Sequence, residues 1–450
     1  MKLSTVVFLC VLAGLAGTIG CRPGQKSKIE LGKPSDPKPG APGDAITVFM
    51  TGSVLSTLQP CGCSSGQLGG LDRRGAVLAG APASRRLVLD TGSLLADDGP
   101  QDMIKLGIMW QAMAMLGYDL VNLTPEDLAA VANLGLAGDG VFSLITPGGA
   151  TKAIRQSYSR QFDTPAGLVT ITVASLPTES VDARSLSSVF GRREGLRLNI
   201  LLVDDGPDAV VAKLRNTDAV DVVVCPTAAD EPRTLKNDGR GPLLVSVGRM
   251  GKYVARLTAK PADGKLALTF DKIAVDESLP QDADLVQLYK DYQLMVKDEQ
   301  LLEKHPRVPL PDGLKYLGNE SCRGCHDYEY DMWAKNPHAH AYETLVKVGS
   351  QYDPECVQCH VVGFGYESGY ISEKSAKGLR DVGCEVCHGP GSDHLKAVTS
   401  GRLDMGIAQP QSKCIDCHYP DRSPNYQGRE DEYLRKIIHW REPEEAGDVK

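Results

Sequence analysis

The chain has 450 residues, enough for more than one hydrophobic core when single domains run to about 100 to 200 residues. Its net charge of -8 excludes a general nucleic-acid binder, whose phosphate contacts demand a basic surface. Thirteen cysteines are present, and most of them fall in the last third of the chain.

The first element is an export signal. Met1-Lys2 supplies positive charge, and Val6 to Ile19 is an apolar run too short to span a bilayer comfortably. The run closes on "GTIGC", whose small residues around Cys21 resemble the lipobox of bacterial lipoproteins, with Thr18 standing where Leu is usual. That resemblance implies lipidation of Cys21, a membrane anchor there and a periplasmic or cell-envelope location; simple signal cleavage is the alternative. Residues 1–21 are then a processed signal. Residues 22–44, "RPGQKSKIELGKPSDPKPGAPGD", are rich in Pro, Gly and Lys with almost nothing to bury, and form a flexible tether.

Residues 45–278 alternate short β-branched runs with helical stretches. "ITVFM", "RLVLD", "YDLVNL", "LVTITVASL", "LRLNILLVDD", "AVDVVVC" and "LLVSVG" read as largely buried strands, with "MIKLGIMWQAMAML" and "PDAVVAKLRN" as helices between them. The pattern predicts an α/β sandwich, and "YVARLTAKPADGKLALTFDKIAV" adds a hairpin around an Asp-Gly turn. In order and local sequence this region resembles the calcineurin-like metallophosphoesterases of the nucleotidase type, through "ITVFMTGSVLS", "LVLDTGSLL", "LGYDLVNLTPEDL" and "GPLLVSVGRMGKYVARL". That family holds two metals on Asp, His and Asn at strand ends. Here the matching positions are Ser53, Leu55, Ser93, Pro125 and Glu126, and the later ones fall near Asp205 and in "CPTAAD". Ser, Leu and Pro do not replace carboxylate and imidazole ligands, so phosphoesterase catalysis is not expected.

One motif in this half stands apart. "QPCGCSSGQLGGLDRR" places Cys61 and Cys63 after the first strand, and Cys225 ends "AVDVVVC". Loops at the carboxyl ends of strands in an open α/β sheet gather at one rim, so the three thiols are expected near the vacated metal positions. A bond within CxC would be strained; the favoured pairing is Cys225 with Cys61 or Cys63. A soft-metal site and unrelated buried thiols are the alternatives.

Residues 279–313 follow as a linker helix and boundary. "LPQDADLVQLYKDYQLMVKDEQLLEK" carries apolar positions at helical spacing among many charges, which predicts a solvated amphipathic helix bridging two domains, and "HPRVPLPDG" marks its end.

Residues 314–440 carry the strongest signal: Cys322, Cys325 and His326 in "CRGCH"; Cys356, Cys359 and His360 in "CVQCH"; Cys384, Cys387 and His388 in "CEVCH"; Cys414, Cys417 and His418 in "CIDCH". Two cysteines three apart share one face of a helical turn and can each add to a haem vinyl group, while the next histidine reaches the iron. Disulfides or zinc knuckles also use CxxC, but neither requires His directly after every pair. Four covalent haems c are therefore expected. With few aliphatic runs, this region is a mainly helical, loop-rich unit whose core the porphyrins supply, and it should be largely unstructured without them.

A histidine or methionine in the sixth iron position gives a low-spin centre suited to electron transfer, whereas a vacancy admits a small molecule. Nine histidines less four proximal ones leave His305, His338, His340, His394 and His439. "YLGNESCRGCH", "WAKNPHAHAYETL" and "VGCEVCHGPGSDH" resemble the tetrahaem c-type cytochromes that accept electrons from hydroxylamine oxidoreductase. In that family the matching histidines are distal ligands, which implies this role for His338 and His394; His340, His439 and His305 are candidates by inventory alone. The expectation is an exported multihaem electron carrier working with redox partner proteins. The rival is a haem enzyme acting on a small nitrogen or sulfur compound at a five-coordinate iron, and a third reading makes the first domain a module that binds a partner or ligand.

Overall fold

The computed structural model describes residues 43, 45–60, 65–138, 140–214, 217–237, 241–374, 377–402 and 414–440. The signal and nearly all of the tether, with Cys21, lie outside them, as do Cys61 and Cys63. Among the described residues no helix is long and apolar enough to cross a membrane.

The first half is an α/β sandwich of two sheets. Its strands are β1 (Ile46–Thr51), β2 (Arg86–Asp90), β3 (Leu120–Asn122), β4 (Ser143–Ile145), β5 (Ile154–Arg155), β6 (Ser157–Thr164), β7 (Gly167–Ser175), β8 (Leu196–Leu202), β9 (Val222–Val224), β10 (Arg233–Lys236), β11 (Leu243–Ser246), β12 (Tyr253–Ala262) and β13 (Lys265–Ala274). The seven-stranded sheet runs β13-β12-β1-β2-β3-β4-β5 and the six-stranded sheet β10-β11-β9-β8-β7-β6. Strands β1 to β5 are mutually parallel, with the β12–β13 hairpin antiparallel at one edge.

The period of two in β1 explains the layering. Ile46, Val48 and Met50 face the second sheet and meet Val169, Ile171, Leu198 and Ile200, while Phe49 points the other way into the helical layer. Both faces are covered, which is why these strands read as nearly continuous apolar runs. At the hairpin Asp263 (φ 49°) and Gly264 (φ 75°) both take the left-handed conformation that a tight two-residue turn needs.

The helices of this half are α1 (Leu71–Leu78), α2 (Pro100–Met115), α3 (Pro125–Asn133), α4 (Ala183–Phe190) and α5 (Pro207–Val211). The last is shorter than the expected "PDAVVAKLRN" helix. The helix expected in the linker is present as α6 (Ala283–Asp298), begun by Asp282, whose side chain accepts from the amides of Asp284 and Leu285. Its apolar stripe is not spent on solvent. Leu285, Leu288, Tyr292 and Val296 are buried in the same cluster as Leu106, Met109 and Met113 of α2, so α6 packs as part of the first core.

Beyond the short α7 (Leu301–Lys304), the second half is built from helices of four to eight residues: α8 (Glu320–Arg323), α9 (Asp327–Trp333), α10 (Ala341–Val348), α11 (Pro354–Val357), α12 (Cys384–His388), α13 (Ser392–Thr399) and α14 (Glu430–Arg435). Its largest apolar cluster holds Tyr342, Leu345, Val357, Val361, Val362, Tyr370 and Leu379, with Leu302 of α7. That is a small core for so long a segment, as expected of a unit completed by covalent groups.

Candidate functional site: the cysteine and histidine cluster

Each CxxCH segment is wound into a turn by its own backbone. The His326 amide donates to the Cys322 carbonyl at 3.0 Å, the His418 amide to the Cys414 carbonyl at 2.8 Å, and the Cys359 amide to the Cys356 carbonyl at 3.3 Å; Cys384 to His388 form α12. This winding puts both thiols of a pair on one side. None of the eight thiols is in a disulfide, and several meet across motifs. Cys322 and Cys384 hydrogen-bond, which lowers the Cys322 pKa and raises that of Cys384, and Cys417 is raised by its hydrogen bond with Cys359. Burial raises Cys387, which also feels Cys414. The first motif therefore adjoins the third, the second adjoins the fourth, and the third and fourth are neighbours.

The histidines fall into pairs. The ring centroids of His326 and His394 are 6.3 Å apart, those of His418 and His338 6.2 Å, and those of His388 and His439 6.2 Å. Two imidazoles that each place a nitrogen about 2 Å from one metal, with about 1 Å more from nitrogen to ring centre, are separated by about 6 Å. The three gaps fit an axially ligated iron, and each pairs a CxxCH histidine with one from outside the motifs. His338 and His394, expected from sequence, lie beside His418 and His326. His439, an inventory candidate, lies beside His388. His340 points outward near Glu343, with 59 % of its side chain exposed, and His305 packs at a tilt against Phe364, ring centroids 4.4 Å apart.

Second partners set ring orientation. His418 Nδ1 is 2.9 Å from Ser423 Oγ, His360 Nδ1 is 2.5 Å from the Ala341 carbonyl oxygen, and His439 Nδ1 is 2.9 Å from the Ile437 carbonyl oxygen, an arrangement that frees the far nitrogen to ligate. Burial, followed by the neighbouring His418, His360 and His439, pushes His338 down to about 4, so it is neutral at ordinary pH, the form a metal requires. Trp333 Nε1 donates to the Val382 carbonyl at 3.0 Å, and the Val382 amide donates to the His338 carbonyl, fastening this histidine to the segment that enters the third motif.

Two carboxylates that the sequence did not single out tie the motifs to neighbouring segments. Glu385, inside "CEVCH", is buried and accepts from the amides of Leu317, Gly318 and Gly391. Asp353, three residues before Cys356, is also buried; it accepts from the Glu355 amide, from Gln101 Nε2 on α2 and from the Tyr292 hydroxyl on α6. A lone acidic residue in sequence gives no sign of such distant donors.

The positions that match metal ligands in the first half lie at the rim of the parallel strands. Ser53 (φ 46°), Leu55 (φ 50°), Ser56 (φ 55°), Ser93 (φ 59°) and Met250 (φ 57°) all keep left-handed backbones there. Hydrogen bonds hold them: the Ser53 amide donates to the Gly92 carbonyl, the Leu55 amide to Ser93, the Ser56 amide to Leu94 and the Met250 amide to Ser53. Asp127, capped against Thr124 in the first turn of α3 with Pro125 and Glu126, accepts from the Ser93 and Leu94 amides. Beneath the rim a buried chain runs from Arg74 Nη1 to the Tyr118 hydroxyl (3.0 Å), to Thr51 Oγ1 (2.8 Å) and on to Asp90 (2.6 Å), whose carboxyl burial pushes up to about 6. Asp205 is exposed on its loop.

The favoured pairing of Cys225 is corrected: its thiol is free, buried at 2 % exposure among Leu176, Leu201, Val223 and Leu244, and desolvation pushes its pKa to about 11. It is a small core residue in an apolar shell.

Together these features define a c-type cytochrome unit carried on a two-sheet α/β domain. The family described as Cytochrome c554 and c-prime matches residues 321–389, the segment that holds the first three CxxCH motifs, and a c-type cytochrome match implies covalently bound haem c. Cytochrome c-554 of Nitrosomonas europaea is 37% identical over 101 residues, covering 18% of this chain and 43% of that protein, so the match spans less than half the relative's length. Among solved structures, the reduced cytochrome c554 of Nitrosomonas europaea covers 28% of this chain and 85% of its own, at 26% identity and a TM-score of 0.24. The 5'-nucleotidase precursor of Thermus thermophilus covers 68% of both chains at 15% identity and a TM-score of 0.45.

Proposed function

We propose that this chain is an exported electron carrier with four haems c, attached at Cys322/Cys325, Cys356/Cys359, Cys384/Cys387 and Cys414/Cys417, with His326, His360, His388 and His418 as proximal ligands. His394, His338 and His439 serve as distal ligands opposite His326, His418 and His388. The observation that carries this reading is the set of three histidine pairs at 6.2 to 6.3 Å, each joining a motif histidine to one outside the motifs. Haem held by these imidazole pairs would supply one-electron transfer between ferric and ferrous states with no exchange of ligand. The protein's part is to fix the rings, exclude water and keep the motifs adjacent, and the thiol contacts linking first to third, second to fourth and third to fourth support a continuous path.

Covalent haem attachment and the N-terminal signal together support a periplasmic or cell-envelope site, with Cys21 as the lipid anchor and soluble or membrane redox proteins as partners. The test is a haem count by alkaline pyridine spectrum, combined with electron paramagnetic resonance of the oxidised protein. Four haems per chain with at least three low-spin are expected; a majority of high-spin iron would overturn the carrier assignment.

A further inference from the structure

The segment that enters the second motif is held by the first half of the chain. Gln293 on α6 donates to the Val348 carbonyl at 2.8 Å and to Ser350 Oγ at 3.0 Å, and Tyr292 and Gln101 both donate to Asp353 at 2.8 Å. Two residues further on, Glu355 pairs with Lys105 of α2, whose side chain is only 7% exposed, and lies 4.0 Å from Arg422, just after the fourth motif. Glu355 immediately precedes Cys356. The pair is therefore one residue from a thioether position, partly shielded from water, with Asp102 and Asp353 as the other charges around it. Charges within about 10 Å and shielded from solvent are weakly screened.

We propose that Lys105 and Glu355 form a cross-domain ion pair that sets the reduction potential of the haem attached at Cys356 and Cys359, with Tyr292, Gln101 and Gln293 as positioning residues. This rests on the haem assignment above. The α/β domain is thereby part of the redox site: it supplies a buried cation to a centre whose ligands belong to the other domain. Losing that cation leaves the Glu355 carboxylate with only the more distant Arg422 at 4.0 Å, adds net negative charge beside the motif and favours the ferric state, which carries one more positive charge; losing the carboxylate does the reverse.

The experiment is a spectroelectrochemical titration of the full-length, haem-loaded protein and its variants Lys105→Met, Glu355→Gln, the double variant and Lys105→Arg. One potential is expected to fall in Lys105→Met and rise in Glu355→Gln, to return towards the original in the double variant and to hold in Lys105→Arg, while the others stay in place. Loosened packing would move both single variants the same way. That result, or no movement in either, would overturn the inference. Mass spectrometry of the peptide spanning Cys356 to His360 separates the two failures: a peptide without haem in the unmodified protein removes the haem assignment itself and this inference with it.

Discussion

Replacing His439 by alanine tests the pairing most cleanly. His439 lies near the end of the described chain, 6.2 Å from His388 by ring centroid, edge-on to Trp440 at 5.3 Å, with Nδ1 held by the Ile437 carbonyl. Alanine removes one hydrogen bond and one ring contact, a local cost of about 1 kcal/mol each, which the fold can bear. The coordination change is larger in kind. On the proposed assignment, the haem held by His388 would lose its second imidazole, so about a quarter of the haem should become high-spin and bind carbon monoxide in the reduced state. His340→Ala is the control, because His340 faces solvent near Glu343 and should leave every iron unchanged. The assay is the low-spin to high-spin ratio by paramagnetic resonance, with carbon monoxide difference spectra of both variants. An unaltered spectrum for His439→Ala, or a new high-spin signal for His340→Ala, would refute the pairing.

Asp90 should make the first domain pH-sensitive. Its folded pKa of about 6 lies above the ordinary 3.8, so its contribution is fully present below pH 3.8 and is lost as pH rises through 6. That displacement corresponds to about 3 kcal/mol, so denaturant titrations should find Asp90→Asn gaining on the unmodified protein by up to that amount between pH 4 and pH 7, and a constant difference would contradict the burial argument. A Cβ at Gly369 would lie 1.8 Å from the Gly363 carbonyl oxygen, beside the second motif. Gly369→Ala should therefore cost more than about 3 kcal/mol and lower haem incorporation at Cys356 and Cys359; an unchanged melting temperature with full loading would count against the steric reasoning.

The sequence carried the parts of this architecture that local chemistry determines. Four CxxCH segments declare themselves because the whole pattern lies within five consecutive residues, and the central strands because both faces are covered. The edge strand β6 was illegible: in "SYSRQFDT" only Phe162 is buried, so it shows neither an apolar run nor a clean alternation. The ends of the histidine inventory were harder still. His340, two residues from His338 and like His439 a candidate by inventory alone, turns outward, whereas His439, far from any motif, is brought to His388 by α14 and the turns around it. Asp353 and Glu385 escaped notice for the same reason, since what makes a buried carboxylate tolerable is a set of donors contributed from distant segments.

The two contacts between the halves differ in physical kind. At the rim, Arg249 and Lys252 bracket Asp230 and Asp421, with Gln67 donating to the Arg422 carbonyl and Asn425 to that of Ser65; Asp230 remains 41% exposed, so much of this attraction is open to screening. Around α2 and α6, by contrast, Asp353 is 5% exposed and its donors are neutral hydroxyl and amide groups, which salt does not weaken. The second motif is thus fastened by buried neutral donors and an ion pair whose lysine is 7% exposed, and the fourth by amide bonds and a more open set of charges. The rim that makes the latter contact is the one that carries the five left-handed residues Ser53, Leu55, Ser56, Ser93 and Met250. Such conformations cost of order 1 to 3 kcal/mol each and persist where the surroundings over-determine them. Here the Asp127 carboxylate and the carbonyls of Ser53, Gly92, Ser93 and Leu94 supply that over-determination, which leaves the rim a rigid surface for the cytochrome unit to lie against.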